Sequence, residues 1–130
     1  MEAYIFRAHC YNVVDGDTID CTVDVGFGMS TTQRFRLWGV NCPEKRSTVV
    51  ETKMKAYQAM EYTASLIFNE EIMIQTYKDD VFGRYLAKVF IPEDDTVDVI
   101  GEKTYTCLND LLILEGLAVP FMRDTELLSK

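Results

Sequence analysis

The sequence predicts a single α+β domain, residues 1–130, that is mainly strand: a five-stranded barrel with a helix after the third strand and a short helix near the C-terminus. Three observations point there. Apolar residues recur at period two in five separate runs, and the first three runs are joined by short glycine-bearing turns. One stretch, residues 48–69, switches to spacings of three and four. At 130 residues the chain is one domain by length, and long enough to bury a core without staples.

Taken in order, Tyr4 to Tyr11 alternates in part and leads into Val13-Val14. Asp15-Gly16-Asp17 is turn chemistry, since glycine accepts positive φ and aspartate bonds its own backbone. Ile19, Cys21, Val23 and Val25 follow at period two, Gly26-Phe27-Gly28 makes the next turn, and Thr31 to Val40 forms a third strand. Short connections between three successive strands imply an antiparallel meander. Pro43 ends the strand pattern, and Thr48 to Asn69 reads as a helix with Met54, Tyr57, Met60, Ala64 and Ile67 on one apolar face. Glu71 to Tyr77 returns to strand. Lys78-Asp79-Asp80 is a loop, and Arg84 to Ile91 is a strand with Tyr85, Ala87, Val89 and Ile91 aligned. An acidic connection runs from Pro92 through Asp98 to Glu102. Thr106 is placed to cap a short helix over Leu108, Leu111 and Leu112, with Gly116 to end it. The last ten residues form one further helical turn or fray.

Hydrophobic residues make up 48% of the chain, and no apolar run approaches the roughly 20 residues that span a bilayer. Met1-Glu2-Ala3-Tyr4 has neither part of a secretory signal, so a cytoplasmic location and no membrane partner are expected. Cys10, Cys21, Cys42 and Cys107 are far apart and have only His9 to help them, which argues against zinc and for buried free thiols. The net charge of −8 is unusual for a phosphate binder. It is unevenly spread: residues 31–60 hold six basic and two acidic side chains, a local +4, so the remainder carries −12.

Three segments carry chemistry. Asp15-Gly16-Asp17-Thr18 sets two carboxylates around a turn, and hard cations take such oxygens. Read alone, it is a turn. In Phe35-Arg36-Leu37-Trp38-Gly39-Val40-Asn41-Cys42-Pro43-Glu44, alternation puts Arg34 and Arg36 on the face opposite Phe35 and Leu37, while Asn41 and Glu44 add oxygens just past the strand beside a stiffening proline. Two arginines on a solvated face are the plain alternative. Phe82-Gly83-Arg84 delivers an arginine at a strand start, where its planar fork suits phosphate.

In this order the segments resemble the staphylococcal nuclease (thermonuclease-like) family, whose pattern is D-G-D-T, then F-R-L with a hydrophobic stretch and [DN]-x-P-E, then [YF]-G-R. Asn109 to Ala118 is similar to the family's N-E-x-L-V-x-x-G-L-A helix, and the resemblance runs from about Val13 to Ala118. It implies an OB-fold barrel and a Ca²⁺-dependent phosphodiesterase acting on single-stranded DNA or RNA to leave 3′-phosphate ends. It assigns Asp17, Asn41 and the Cys42 backbone carbonyl to the metal, Arg36 and Arg84 to the phosphate, and Glu44 to the attacking water. Beside the resemblance, Tyr77, Phe82, Tyr85 and Phe121 are candidates to stack on a base near the site, with packing as the plain alternative and the one favoured for Tyr85. Lys45 and Arg46 in the basic stretch would hold the strand. A catalytically inactive OB domain that binds nucleic acid or protein is the alternative, and the acidic body fits a protein-interaction module as a third reading.

Asn41 stands where many members have aspartate, which keeps an oxygen ligand but removes a charge. The hairpin between Asp17 and Arg36 is longer than in compact members, with Gly26-Phe27-Gly28-Met29 at its tip. The family's long C-terminal helix is mostly absent, which leaves room for a homodimer contact or a protein partner on the barrel.

Overall fold

The structure, a computed structural model, describes residues 4–77, 84–93 and 104–121. The expected loop at Lys78-Asp79-Asp80, the Phe82-Gly83 half of the third motif, the acidic stretch 94–102 and the tail after Phe121 lie outside the described residues. In chain order the elements are β1 (Tyr4–Asp15), β2 (Thr18–Gly26), β3 (Met29–Leu37), β4 (Val40–Asn41), α1 (Val50–Ile67), β5 (Glu71–Tyr77), β6 (Tyr85–Pro92), β7 (Tyr105–Cys107), α2 (Leu108–Leu114) and β8 (Val119–Pro120).

The meander forms as the alternation dictates. β1 pairs antiparallel with β2, and β2 with β3. β5 adds antiparallel to the other edge of β1, and β6 to β5. Parallel pairing of β3 with β6, Phe35 opposite Tyr85 and Arg36 opposite Leu86, then closes a five-stranded barrel. Closure removes the open edges that a flat sheet would leave. Inside lie Ile19, Phe35, Leu37, Ile72, Ile74, Ala87 and Val89, all buried, with Ile67 of α1 and Leu108 and Leu112 of α2 sealing the ends. This is the OB-type α+β architecture that the alternation and the inserted helix predict. Among the described residues, no helix is long and apolar enough to cross a membrane.

Four local features differ from the sequence reading. The third strand stops at Leu37, because Gly39 turns the chain at φ 77°. Val40–Asn41 leaves the barrel edge to pair with Val119–Pro120. Helix α1 buries Ala56, Ala59, Thr63 and Ile67, while Met54 and Tyr57 of the expected apolar face are exposed. Small side chains win that face because the Asp15-Gly16-Asp17 turn presses against it: a Cβ on Gly16 would lie 2.8 Å from the Cβ of Ala59. Gly16 is therefore required for space. Thr106 does not cap α2, because it sits in β7 and its hydroxyl donates to Glu93 at 2.6 Å. Tyr85 begins β6 and is 49% exposed, so the apolar face of that strand starts only at Ala87.

Candidate active site

The first two motifs meet at the end of the barrel where β1 turns into β2 and β3 leaves the sheet. The Asp17 carbonyl accepts the Leu37 N–H at 2.8 Å, which fixes the aspartate beside Arg36. Beneath it, the Thr63 hydroxyl of α1 donates to the Gly16 carbonyl at 2.9 Å. The turn is thus pinned by the strand on one side and the helix on the other.

Asp17 is buried, and all of its bonds serve a carboxylate. Its Oδ2 accepts Arg36 Nη1 at 3.3 Å and the Cys42 N–H at 2.9 Å, and its Oδ1 accepts the Thr18 hydroxyl at 3.3 Å. The same guanidinium donates through Nη2 to the Val40 carbonyl at 3.1 Å and to Asn41 Oδ1 at 2.9 Å. Arg36 is itself only 14% exposed and lies 5.5 Å from the centroid of the Phe121 ring, a cation–π contact. One cation therefore gathers the oxygens of Asp17 and Asn41, the two side chains assigned to a metal from sequence.

Next to this centre is a polar cavity of about 290 Å³, lined by Asp15, Asp17, Cys42, Glu44, Lys45 and Arg46 among others. Glu44 and Arg46 are exposed at its rim. Lys45 is turned inward: its ammonium donates to the Val14 carbonyl at 2.7 Å, pairs with Asp15 at 3.3 Å and sits over the Tyr57 ring at 5.8 Å. Arg84 is exposed at the head of β6, two residues before Leu86, the partner of Arg36. The pairing of β3 with β6 thus brings both arginines to adjoining strands. Phe82 lies outside the described residues. Burial pushes the Cys42 thiol up to about 12, with the Asp17 charge adding to the shift, so the side chain stays a neutral thiol.

Among the described residues, no three His, Cys, Asp or Glu side chains cluster to hold a metal. A cation here would draw on Asp17, the Asn41 amide oxygen and main-chain carbonyls, which is an all-oxygen set of the kind Ca²⁺ takes. The convergence of Asp17 and Asn41 on one guanidinium is the observation that makes the set fit.

Three sets of contacts in this region go beyond the sequence reading. Phe121 reaches Arg36 only because β8 pairs with β4. Lys45 bonds the Val14 carbonyl and Asp15 at the turn. Asn109, fully buried, accepts the Val89 N–H at 2.9 Å and donates to the Trp38 and Ala87 carbonyls at 2.8 and 3.1 Å. It thereby welds α2 to the strand ends behind the site. A polar residue near the start of an otherwise apolar helix is the signal that could have found this role.

The family model for staphylococcal nuclease homologues matches residues 34–128, which is most of the chain. The chain belongs to the staphylococcal nuclease family. Micrococcal nuclease of Shigella flexneri is 28% identical over 113 residues, which are 87% of this chain and 57% of that relative. Protein ParB of Escherichia coli is 32% identical over 85 residues, 65% of this chain and 42% of that protein. The chain spans about half the length of the curated relatives it matches. Within this nuclease family, the stretch matched by the family model contains Arg36, Asn41, Glu44 and Arg84.

Proposed function

We propose that this staphylococcal nuclease family member is a Ca²⁺-dependent phosphodiesterase that cuts single-stranded DNA or RNA. The observation that carries the reading is the Arg36 guanidinium held between Asp17, Val40 and Asn41 beside a polar cavity that Asp17 and Glu44 line. The relative named micrococcal nuclease supports nucleic acid as the substrate.

Asp17, Asn41 and the Cys42 carbonyl would hold Ca²⁺. When bound, the ion supplies a Lewis acid for a phosphate oxygen and a point of attachment for water. Arg36 turns from Asn41 toward the phosphate and, with Arg84, offsets the charge that gathers on its oxygens. Glu44, at the rim, orients the attacking water and accepts its proton. The new P–O bond forms from water as the bond to the 5′ oxygen breaks. The products are a 3′-phosphate and a 5′-hydroxyl, whose proton comes from solvent. Arg46 and the basic stretch around it hold the strand electrostatically, which makes binding salt-sensitive.

A second reading, an inactive OB domain that binds nucleic acid or protein, draws on the net charge of −8 and on Arg36 being engaged by Asp17 and Asn41. One experiment separates the two. Purified full-length chain is given labelled single-stranded DNA and RNA, with Ca²⁺ or with a chelator. Cleavage that requires Ca²⁺ and is lost in Asp17→Ala and Glu44→Ala supports the enzyme. Binding without cleavage across pH and low salt rejects it in favour of the second reading.

A further inference from the structure

Outside the site, one cluster has a composition that core packing does not explain. Trp38 and Tyr77 stack with ring centroids 5.8 Å apart and planes 26° off parallel. The Lys88 ammonium lies 4.6 Å from the Trp38 centroid and 6.0 Å from that of Tyr77. All three side chains are half-buried. Neither ring belongs to the hydrophobic core or to the partly buried residues packed against it. Two large aromatics and a cation on the outside of a barrel are the elements with which proteins hold single-stranded nucleic acid.

The cluster is positioned relative to the catalytic centre. Phe35 and Leu37 point into the barrel, so Arg36 lies on its outer side. Trp38 is two residues beyond Arg36, in the turn that ends β3, and packs there against Tyr77 and Lys88. Its backbone is held at both ends, the N–H by the Ala87 carbonyl at 2.9 Å and the carbonyl by Asn109 Nδ2 at 2.8 Å. Lys88 follows Leu86, the partner of Arg36, by the same two residues. The platform is therefore preorganised and adjoins the phosphate-gripping arginine.

We infer that Trp38, Tyr77 and Lys88 form a stacking subsite for a base of the single strand flanking the phosphate at Arg36. This rests on the reading of the chain as a nuclease of single strands and adds a residue-level account of how the strand is held. The base takes the ring face that Lys88 now covers, and Lys88, on its flexible stem, moves to a backbone phosphate. Stacking tolerates any base and both sugars, so DNA and RNA share the chemistry.

Trp38 is the sole tryptophan, so its fluorescence reads the subsite directly. The full-length protein is titrated in chelator with oligothymidylate of about ten nucleotides, its oligouridylate counterpart and a duplex of equal length. Anisotropy of the labelled strand measures binding independently. Saturable quenching by both single strands and none by the duplex is expected, and quenching by one sugar alone would assign the subsite to that polymer. Trp38→Leu should weaken single-strand binding about tenfold, Trp38→Phe should keep most of it, and Lys88→Gln should reduce the salt slope by about one. Binding by anisotropy with unchanged Trp38 fluorescence, Trp38→Leu binding equal to wild type, or no single-strand binding at all overturns the proposal. Quenching without Ca²⁺-dependent cleavage keeps the subsite and removes the nuclease reading. Cleavage without quenching does the reverse.

Discussion

Replacing Gly16 with alanine adds one methyl group at a crowded backbone position beside the site. Its Cβ would meet the Ala59 Cβ at 2.8 Å, the Cys42 Sγ at 2.9 Å and the Ala59 carbonyl carbon at 3.0 Å. None of these is the end of a flexible chain, and one is helix backbone. Helix α1 cannot yield cheaply, because Thr63 holds the Gly16 carbonyl at 2.9 Å and Ala59 is fully buried. Relief needs a shift of several tenths of an ångström, and overpacking of this kind costs about 1–3 kcal/mol. A loss near 2 kcal/mol should lower the melting midpoint by roughly 5–10 °C in a domain of this size. The turn carries Asp17, so the displacement should also weaken the Arg36 centre. Denaturant unfolding of Gly16→Ala measures the loss, and a Gly16→Ala/Cys42→Ala double variant should recover part of it by removing the sulfur contact. A Gly16→Ala protein as stable as wild type within about 0.5 kcal/mol would refute the close packing of α1 on the turn.

Other substitutions test other parts of the account. Asn109→Ala removes the side-chain acceptor of the Val89 N–H, a donor to the Trp38 carbonyl and one of the two donors to the Ala87 carbonyl, and should cost about 2 kcal/mol in denaturant unfolding. Arg34, through two hydrogen bonds at 2.7 and 3.1 Å, holds the buried Asp20 carboxyl below its ordinary value, with burial opposing. A depressed carboxyl stabilises the fold above its unfolded pKa of about 3.9 and loses that contribution as pH falls through the folded value. Arg34→Ala should therefore cost about 1 kcal/mol near neutral pH, discounted for the exposure of the arginine, and progressively less below about pH 4. A pH-independent difference between the two proteins would contradict this. Cys42, with its thiol pushed up to about 12, should resist alkylation at about pH 8 in the native protein and react once unfolded. Rapid native labelling, located by mass spectrometry, would show that Cys42 is open to solvent.

Much of this was legible in the chain. The period-two runs located the barrel strands, and Glu71 to Tyr77 matches β5 end to end. The short motifs located the residues that converge at the turn, because strand order and alternation bring Asp17 and Arg36 together. What escaped depends on contacts distant in sequence. The spacing of apolar residues puts Met54 and Tyr57 on the inward face, whereas a close approach to Gly16 selects alanines there. The break at Gly39 and the pairing of Val40–Asn41 with Val119–Pro120 join segments almost 80 residues apart by number. Period-two patterning does not encode that pairing, and with it Phe121 arrives over Arg36. Thr106 had the right residue type for a cap but lies in β7, bonded to Glu93.

The most direct test of the Asp17–Arg36 centre compares wild type with Arg36→Ala in the cleavage of one end-labelled single strand, with Ca²⁺ and in parallel with chelator. The account predicts Ca²⁺-dependent cleavage by wild type to fragments ending in 3′-phosphate, and a rate roughly 10²–10³-fold lower in the variant. Equal rates in the two proteins, or no cleavage by wild type, would contradict it.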